Sequence, residues 1–279
     1  MDELRWIFQD RERRLRSGWA ILVYVLAAFA FGELLVLTRI APRVPTWLLL
    51  IVSLGATAIG CLVVRQPFGA AGFRDPRWWE RVLVGFGLGA VVVGLLVGVP
   101  WAAGREGLAG PAVGTTALVP AGWRQLAQLA PPSAAEEVLL RGFLLQQLAR
   151  GTNRWAAVLI TGTLFGLGHL GNPNVVWLGI VNIVLAGWWL GALVVRTGSL
   201  WLTIGLHISW NWFEGFVFGQ AVSGTSIGDT LLHPTAGSSI FWTGGPFGPE
   251  ASGVCTIVLG LAIVASLAWR REPRTAEVV

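Results

Sequence analysis

Apolar residues fall into eight blocks along the 279-residue chain, joined by polar links. The blocks run over roughly 18–38, 46–64, 81–102, 134–150, 155–170, 175–195, 199–218 and 252–269. Each approaches the ~20 residues that a helix needs to cross a bilayer; the fourth and fifth are the shortest. Between the third and fourth blocks, 103–133 carries Pro111, Pro120, Pro131 and Pro132, and its 117–130 portion predicts an interfacial helix. Residues 219–251, rich in Gly, Ser, Thr and Pro, predict a long loop. The pattern predicts an all-α polytopic transmembrane helical bundle of about eight spans, a single integral membrane domain over 1–279.

Composition supports that class. Only 13% of residues are charged, 54% are hydrophobic and the mean hydropathy is +0.66; soluble domains carry about a quarter charged residues. The net charge of +5 comes from arginine, since the chain has no lysine. The arginines cluster beside apolar blocks and form no stripe with interleaved aromatics, which excludes a nucleic-acid partner. They read as topology signals. With the N-terminus in the cytoplasm, that side holds 15 arginines and the other holds Arg39, Arg43, Arg105 and Arg124. The positive-inside rule then puts both termini in the cytoplasm, in what reads as a bacterial inner membrane. Arg11, Arg13, Arg14 and Arg16 precede a first block too long for a signal peptide, so a retained first span is expected. Trp19, Trp47, Trp78, Trp79, Trp101, Trp155 and Trp201 lie at block edges, at the level of lipid headgroups. Cys61 and Cys255 are isolated and read as packing residues.

Glycines recur at i, i+4 in Gly94/Gly98, Gly162/Gly166 and Gly187/Gly191, a spacing that lets membrane helices approach closely. Polar positions inside the blocks are few: Glu33, Glu136, Glu137, Arg141, Asn182, His169, His207, Asn211 and Glu214. Such residues are costly in lipid and face a bundle interior or a cavity. Plain structural roles are open to several. Ser133 and Glu136 fit a capping box after two prolines that stop any earlier helix. Glu137 and Arg141 fit an i, i+4 ion pair. A lone histidine or asparagine fits hydrogen-bonded packing. Glu33 reads as a headgroup-level residue and His233 as solvated. Glu214 reads equally as a partner of His207 or as interfacial.

Topology makes the set more telling than its members. The fourth and fifth blocks run antiparallel, so Glu136, Glu137 and His169 lie at one depth. His207 and Asn211 share a face of the seventh block, and His207 lies ~12 Å along it. Carboxylates, two imidazoles and an amide can therefore meet in one half of the bilayer. A buried glutamate can act as general base on water, and imidazole and amide N–H groups can stabilise an oxyanion. These parts fit hydrolysis of an acyl bond, most simply a peptide bond. Glu136, His169 and His207 also make a plausible ligand set for zinc or another divalent metal with an open fourth position. The HExxH motif is absent. Metal-bound and glutamate-activated water stay open as alternatives.

EEVLLRG (136–142), FGLGH (165–169) and HISWN (207–211) resemble the EExxxR, FxxxH and HxxxN motifs of the CPBP family, the CAAX proteases and bacteriocin-processing (Abi) proteins. GWWLGALVVRTGSL (187–200) resembles that family's link between its last two motifs. The resemblance covers about 130–215, a CAAX-protease-like catalytic core. It implies an intramembrane endopeptidase, of metalloprotease type where a metal is used, acting on a membrane-anchored or apolar peptide, prenylated CAAX-like proteins among the candidates. It implies that Glu136 activates water, that His169 assists proton transfer or binds metal, and that His207 and Asn211 stabilise the oxyanion or His207 binds metal. It implies that Glu137 and Arg141 shape the site as an ion pair and that Phe165 packs. Eukaryotic relatives act on cytoplasm-facing substrates, whereas arginine counting puts this site in the other half. Two rivals stand beside this reading. One is a non-catalytic membrane scaffold or bacteriocin-immunity protein. The other is a proton-coupled transporter, for which the expected inverted repeat is not visible.

Overall fold

The computed structural model describes residues 5–9, 14–37, 45–111, 114–237 and 239–269. Each apolar block is largely helical, the fourth being divided between the end of one helix, a widened turn and a second short helix. The principal ones are α1 (Ser17–Leu37), α2 (Thr46–Val63), α3 (Trp78–Ala102), α4 (Thr115–Glu137), α5 (Leu145–Gly151), α6 (Arg154–Gly168), α7 (Trp177–Thr197), α8 (Leu200–Trp212) and α9 (Gly253–Ala268). Among the described residues, α2, α3 and α7 are long and apolar enough to cross a membrane on their own; α6 and α9 are shorter apolar helices. Local signals fix several ends. Asn153 caps α6 by accepting from the N–H groups of Trp155 and Ala156, both at 3.0 Å. Gly198, at φ 72°, ends α7 in the left-handed region that a side chain would resist.

The helices are apolar on both faces. Inside, Val93, Leu96, Trp189, Leu193, Leu206 and Leu259 join α3, α7, α8 and α9 in one core. Outside, Leu83, Val84, Val91, Leu261 and Val264 stand exposed. A helix apolar all round belongs in lipid or in a large core, and these outward rows are suited to lipid. Trp19, Trp47, Trp78, Trp79 and Trp101 are likewise exposed.

Close helix crossings rest on glycine. A Cβ on Gly187 would lie 2.7 Å from Gly162 Cα, and one on Gly89 would lie 2.9 Å from Ser209 Cβ. The three glycine pairs of the sequence pattern thus behave differently. Gly162/Gly166 and Gly187/Gly191 meet at the α6–α7 crossing, whereas a Cβ on Gly94 or Gly98 would touch nothing within 4 Å. The tight approach of α3 to α8 uses Gly85, Gly89 and Gly205 instead.

Two expectations need correction. First, no helix begins at Ser133. Helix α4 runs from Thr115 straight through Pro131 and Pro132. It packs along α2 and α8, and that packing outweighs the backbone hydrogen bonds the prolines cannot make. Ser133 is therefore no cap; its hydroxyl donates to Leu129 O at 2.8 Å. A widened turn, Val138–Leu144, follows, with Gly142 outside helical geometry (φ −74°, ψ −117°), before α5. Likewise α8 continues as a widened turn over Phe213–Val217.

Second, 219–251 is more than a loop. Its strand β2 (His233–Gly237) pairs antiparallel with β1 (Glu106–Ala109), with Ala109 opposite His233 and an irregularity between Gly107 and Leu108. His233 is accordingly half-buried rather than solvated. Gln220 Nε2 donates to Glu106 Oε1 at 2.7 Å, and Asn172 Nδ2 to Ser223 O at 3.0 Å. These bonds fold the segment back onto the bundle. Arg11, Arg13, Arg39, Arg43 and the C-terminal tail, which enter the orientation argument, lie outside the described residues.

Candidate active site

Glu136 and Glu137 occupy the end of α4. Glu137 is fully buried, and its Oε1 takes two partners: Arg141 Nη1 at 3.0 Å and His207 Nδ1 at 3.0 Å. The i, i+4 pairing with Arg141 survives the widened turn. Arg141, also fully buried, reaches Gly187 O with Nη2 at 3.3 Å and lays its guanidinium 4.3 Å from the Phe165 ring centre. Charge, fork geometry and aromatic face are all engaged, which arginine satisfies and lysine does not.

Phe165 is the hub between this pair and the histidines. His169 and His207 meet its ring edge-on, at 4.8 Å and 5.7 Å between centres. His169 Nδ1 lies 2.7 Å from Phe165 O. A carbonyl only accepts, so Nδ1 carries the hydrogen and Nε2 is left as the acceptor in the neutral ring. His207 donates from Nδ1 to Glu137, and its Nε2 lies 3.8 Å from Glu136 Oε2. The glutamate one residue before the ion-paired position faces differently from its neighbour: the Glu136 side chain is 39% exposed. Asn211, one turn beyond His207, donates to Ser133 Oγ at 2.9 Å, tying α8 to α4.

Glu136, His169, His207 and Asn211 all line one cavity of about 330 Å³. Glu137 and Arg141 stand behind it. The remaining wall is apolar, with Ile183, Ala186, Trp189, Leu190, Leu206 and Trp210, and one side is closed by the refolded 219–251 segment through Val222, Ser223, Thr225, Ile227 and Glu250. These last residues escaped the sequence reading. They come from a Gly- and Pro-rich stretch without periodicity, and only Glu250, a lone carboxylate in it, offered a signal. Its Oε2 accepts from Ser223 N and Oγ, both at 2.7 Å. Burial pushes its carboxyl above the ordinary range, as it does for Glu106.

Two further polar residues prove structural. Asn182 Nδ2 donates to Glu250 O at 2.7 Å and Ser252 O at 2.9 Å, while its Oδ1 accepts from Thr256 at 2.7 Å. Glu214 is buried and accepts from Trp210 Nε1 at 2.9 Å; it is neither interfacial nor bonded to His207. Glu33 is exposed on α1, away from the cavity. For a metal, the test is whether the donors converge. Among the described residues no three His, Cys, Asp or Glu side chains form a group able to hold an ion. Glu136, His169 and His207 share a cavity without making a ligand cluster.

Comparison with known proteins agrees with the motif resemblance. Residues 119–213 match the family described as type II CAAX prenyl endopeptidase Rce1-like. Together with the apolar helices, this supports a helical integral membrane protein with a segment similar to that CAAX-protease class. YyaK, an uncharacterized protein of Bacillus subtilis (strain 168), is 38% identical over 86 residues, 29% of this chain and 28% of that protein. The alignment thus spans under a third of that relative's length. No solved structure matches.

Proposed function

We propose that this chain, with its Rce1-like segment at 119–213, is an intramembrane endopeptidase that hydrolyses a peptide bond in a membrane-anchored or apolar substrate. The observation that carries this reading is the convergence of Glu136, His169, His207 and Asn211 on one half-open cavity. In this reading Glu136, the one carboxylate of the pair that reaches the cavity, takes a proton from the attacking water. His169, with Nδ1–H committed to Phe165 O, presents Nε2 to receive that proton and return it to the leaving amine. Asn211 and His207 face the developing oxyanion. For His207 to donate there, Nε2 must carry a proton while Nδ1–H donates to Glu137. Charge balance favours this: Arg141 offsets Glu137, and an imidazolium offsets Glu136. Each of these steps is written with the side chains of this chain alone.

The apolar wall suits an apolar peptide segment. The cavity is closed by 219–251, which contains no arginine, and this supports a site opening away from the cytoplasm. The test is a comparison of peptide termini in membranes from a host lacking its own copy, with wild type or Glu136→Ala at equal levels. Termini present only with wild type would name substrates. Identical maps with folded, abundant proteins would overturn the peptidase reading and favour a scaffold.

A further inference from the structure

Glu250 sits in the cavity wall, and the basic groups that share its lining are the imidazoles of His169 and His207. It is 8% exposed. Both hydrogen bonds from Ser223 go to Oε2, and Oε1 has no hydrogen bond among the described residues. The cavity lining includes no arginine, and the chain has no lysine. Arg141, the nearby cation of the motif, is spent on Glu137, Gly187 O and the Phe165 face. A second buried carboxyl deepens the imbalance: a Cβ on Gly248 would lie 3.5 Å from Glu214 Oε1, and that oxygen has no hydrogen-bond partner. The Glu250 backbone is held in place, since Asn182 clamps its carbonyl at 2.7 Å. Burying a carboxylate is unfavourable unless it is paired. A fixed, half-satisfied carboxyl in a cavity lined by neither arginine nor lysine is a receptor for a ligand's positive charge.

We infer that Glu250 is a specificity-determining residue, selecting substrates with an ammonium or guanidinium group close to the cleaved bond. The inference rests on the peptidase reading for the word substrate, but not for the binding preference itself.

The test uses the full chain in phosphatidylcholine nanodiscs and two matched probes, octanoyl-lysinamide and octanoyl-norleucinamide, which differ only in the ammonium. Wild type is expected to bind the lysine probe about tenfold more tightly, the size of one charge-assisted hydrogen bond. Glu250→Gln, which keeps an acceptor for Ser223, should lose the preference. Glu250→Asp and Glu136→Gln should keep it. Equal affinities in wild type, or an unchanged preference in Glu250→Gln, would overturn the inference. A Glu250-dependent preference alongside identical termini maps would uphold it and remove the peptidase reading. Altered maps without any preference would do the reverse.

Discussion

His207 and Glu137 are bonded Nδ1 to Oε1 at 3.0 Å, although 70 positions separate them in the chain. That single oxygen also accepts from Arg141 Nη1 at 3.0 Å. The carboxylate is thus the joint between α4 and α8, and it orients an imidazole whose other nitrogen faces the cavity.

Removing that joint should be costly. Glu137→Ala leaves Arg141 buried without its counter-charge, so it should destabilise the protein by about 3–5 kcal/mol. Thermal unfolding in detergent checks this. Glu136→Ala, at a half-exposed position, should leave the unfolding midpoint within experimental scatter of wild type.

Arg141→Lys should not be conservative. A lysine can reach Glu137, but it cannot also reach Gly187 O and cover the Phe165 face. Activity on any substrate found by termini mapping should fall by about tenfold or more, the value of one lost charge-assisted contact. Equal activity would show that the fork geometry has no role.

Glycine positions should separate by crossing. At Gly89 a Cβ would press on Ser209 and on the α8 backbone, so Gly89→Ala should cost about 1–3 kcal/mol, as overpacking does. Gly94 has open space, and Gly94→Ala should be neutral or stabilise by about 0.5–1 kcal/mol, the usual helix gain. Unfolding midpoints of the two variants test the α3–α8 crossing directly.

Glu106 gives a pH dependence outside the spans. Burial raises its folded pKa despite the hydrogen bond from Gln220. The fold therefore favours the protonated form. The stability it contributes is complete below the unfolded value of about 4.3 and is lost as pH rises through the raised folded value. Relative to wild type, Glu106→Gln should flatten the fall in unfolding midpoint across that window. Parallel curves for the two proteins would remove Glu106 from the pH response.

Helices and the polar set were legible in the chain because lipid imposes one rule: apolar runs of span length, with every polar residue an exception that needs a partner. Depth matching from antiparallel spans anticipated that Glu136, His169, His207 and Asn211 share a cavity. The sequence misled where tertiary packing overrode local preference. Pro131 and Pro132 read as a stop, yet α2 and α8 hold α4 helical through them. It was mute on the 219–251 segment, whose bonds to the bundle, Asn172 to Ser223 and Gln220 to Glu106, pair residues more than 50 positions apart. Nothing periodic marks such contacts, so Ser223 emerged only from the fold, and Glu250 had no more than its lone carboxylate to mark it.

The central claim is that Glu136 is the base, and one rate comparison tests it most directly. A peptide identified by termini mapping would be incubated with purified wild type and Glu136→Gln in nanodiscs. The account predicts that the variant binds the peptide but cleaves it at least ~10²-fold more slowly, the low end of general-base contributions. Cleavage by Glu136→Gln at the wild-type rate would contradict it.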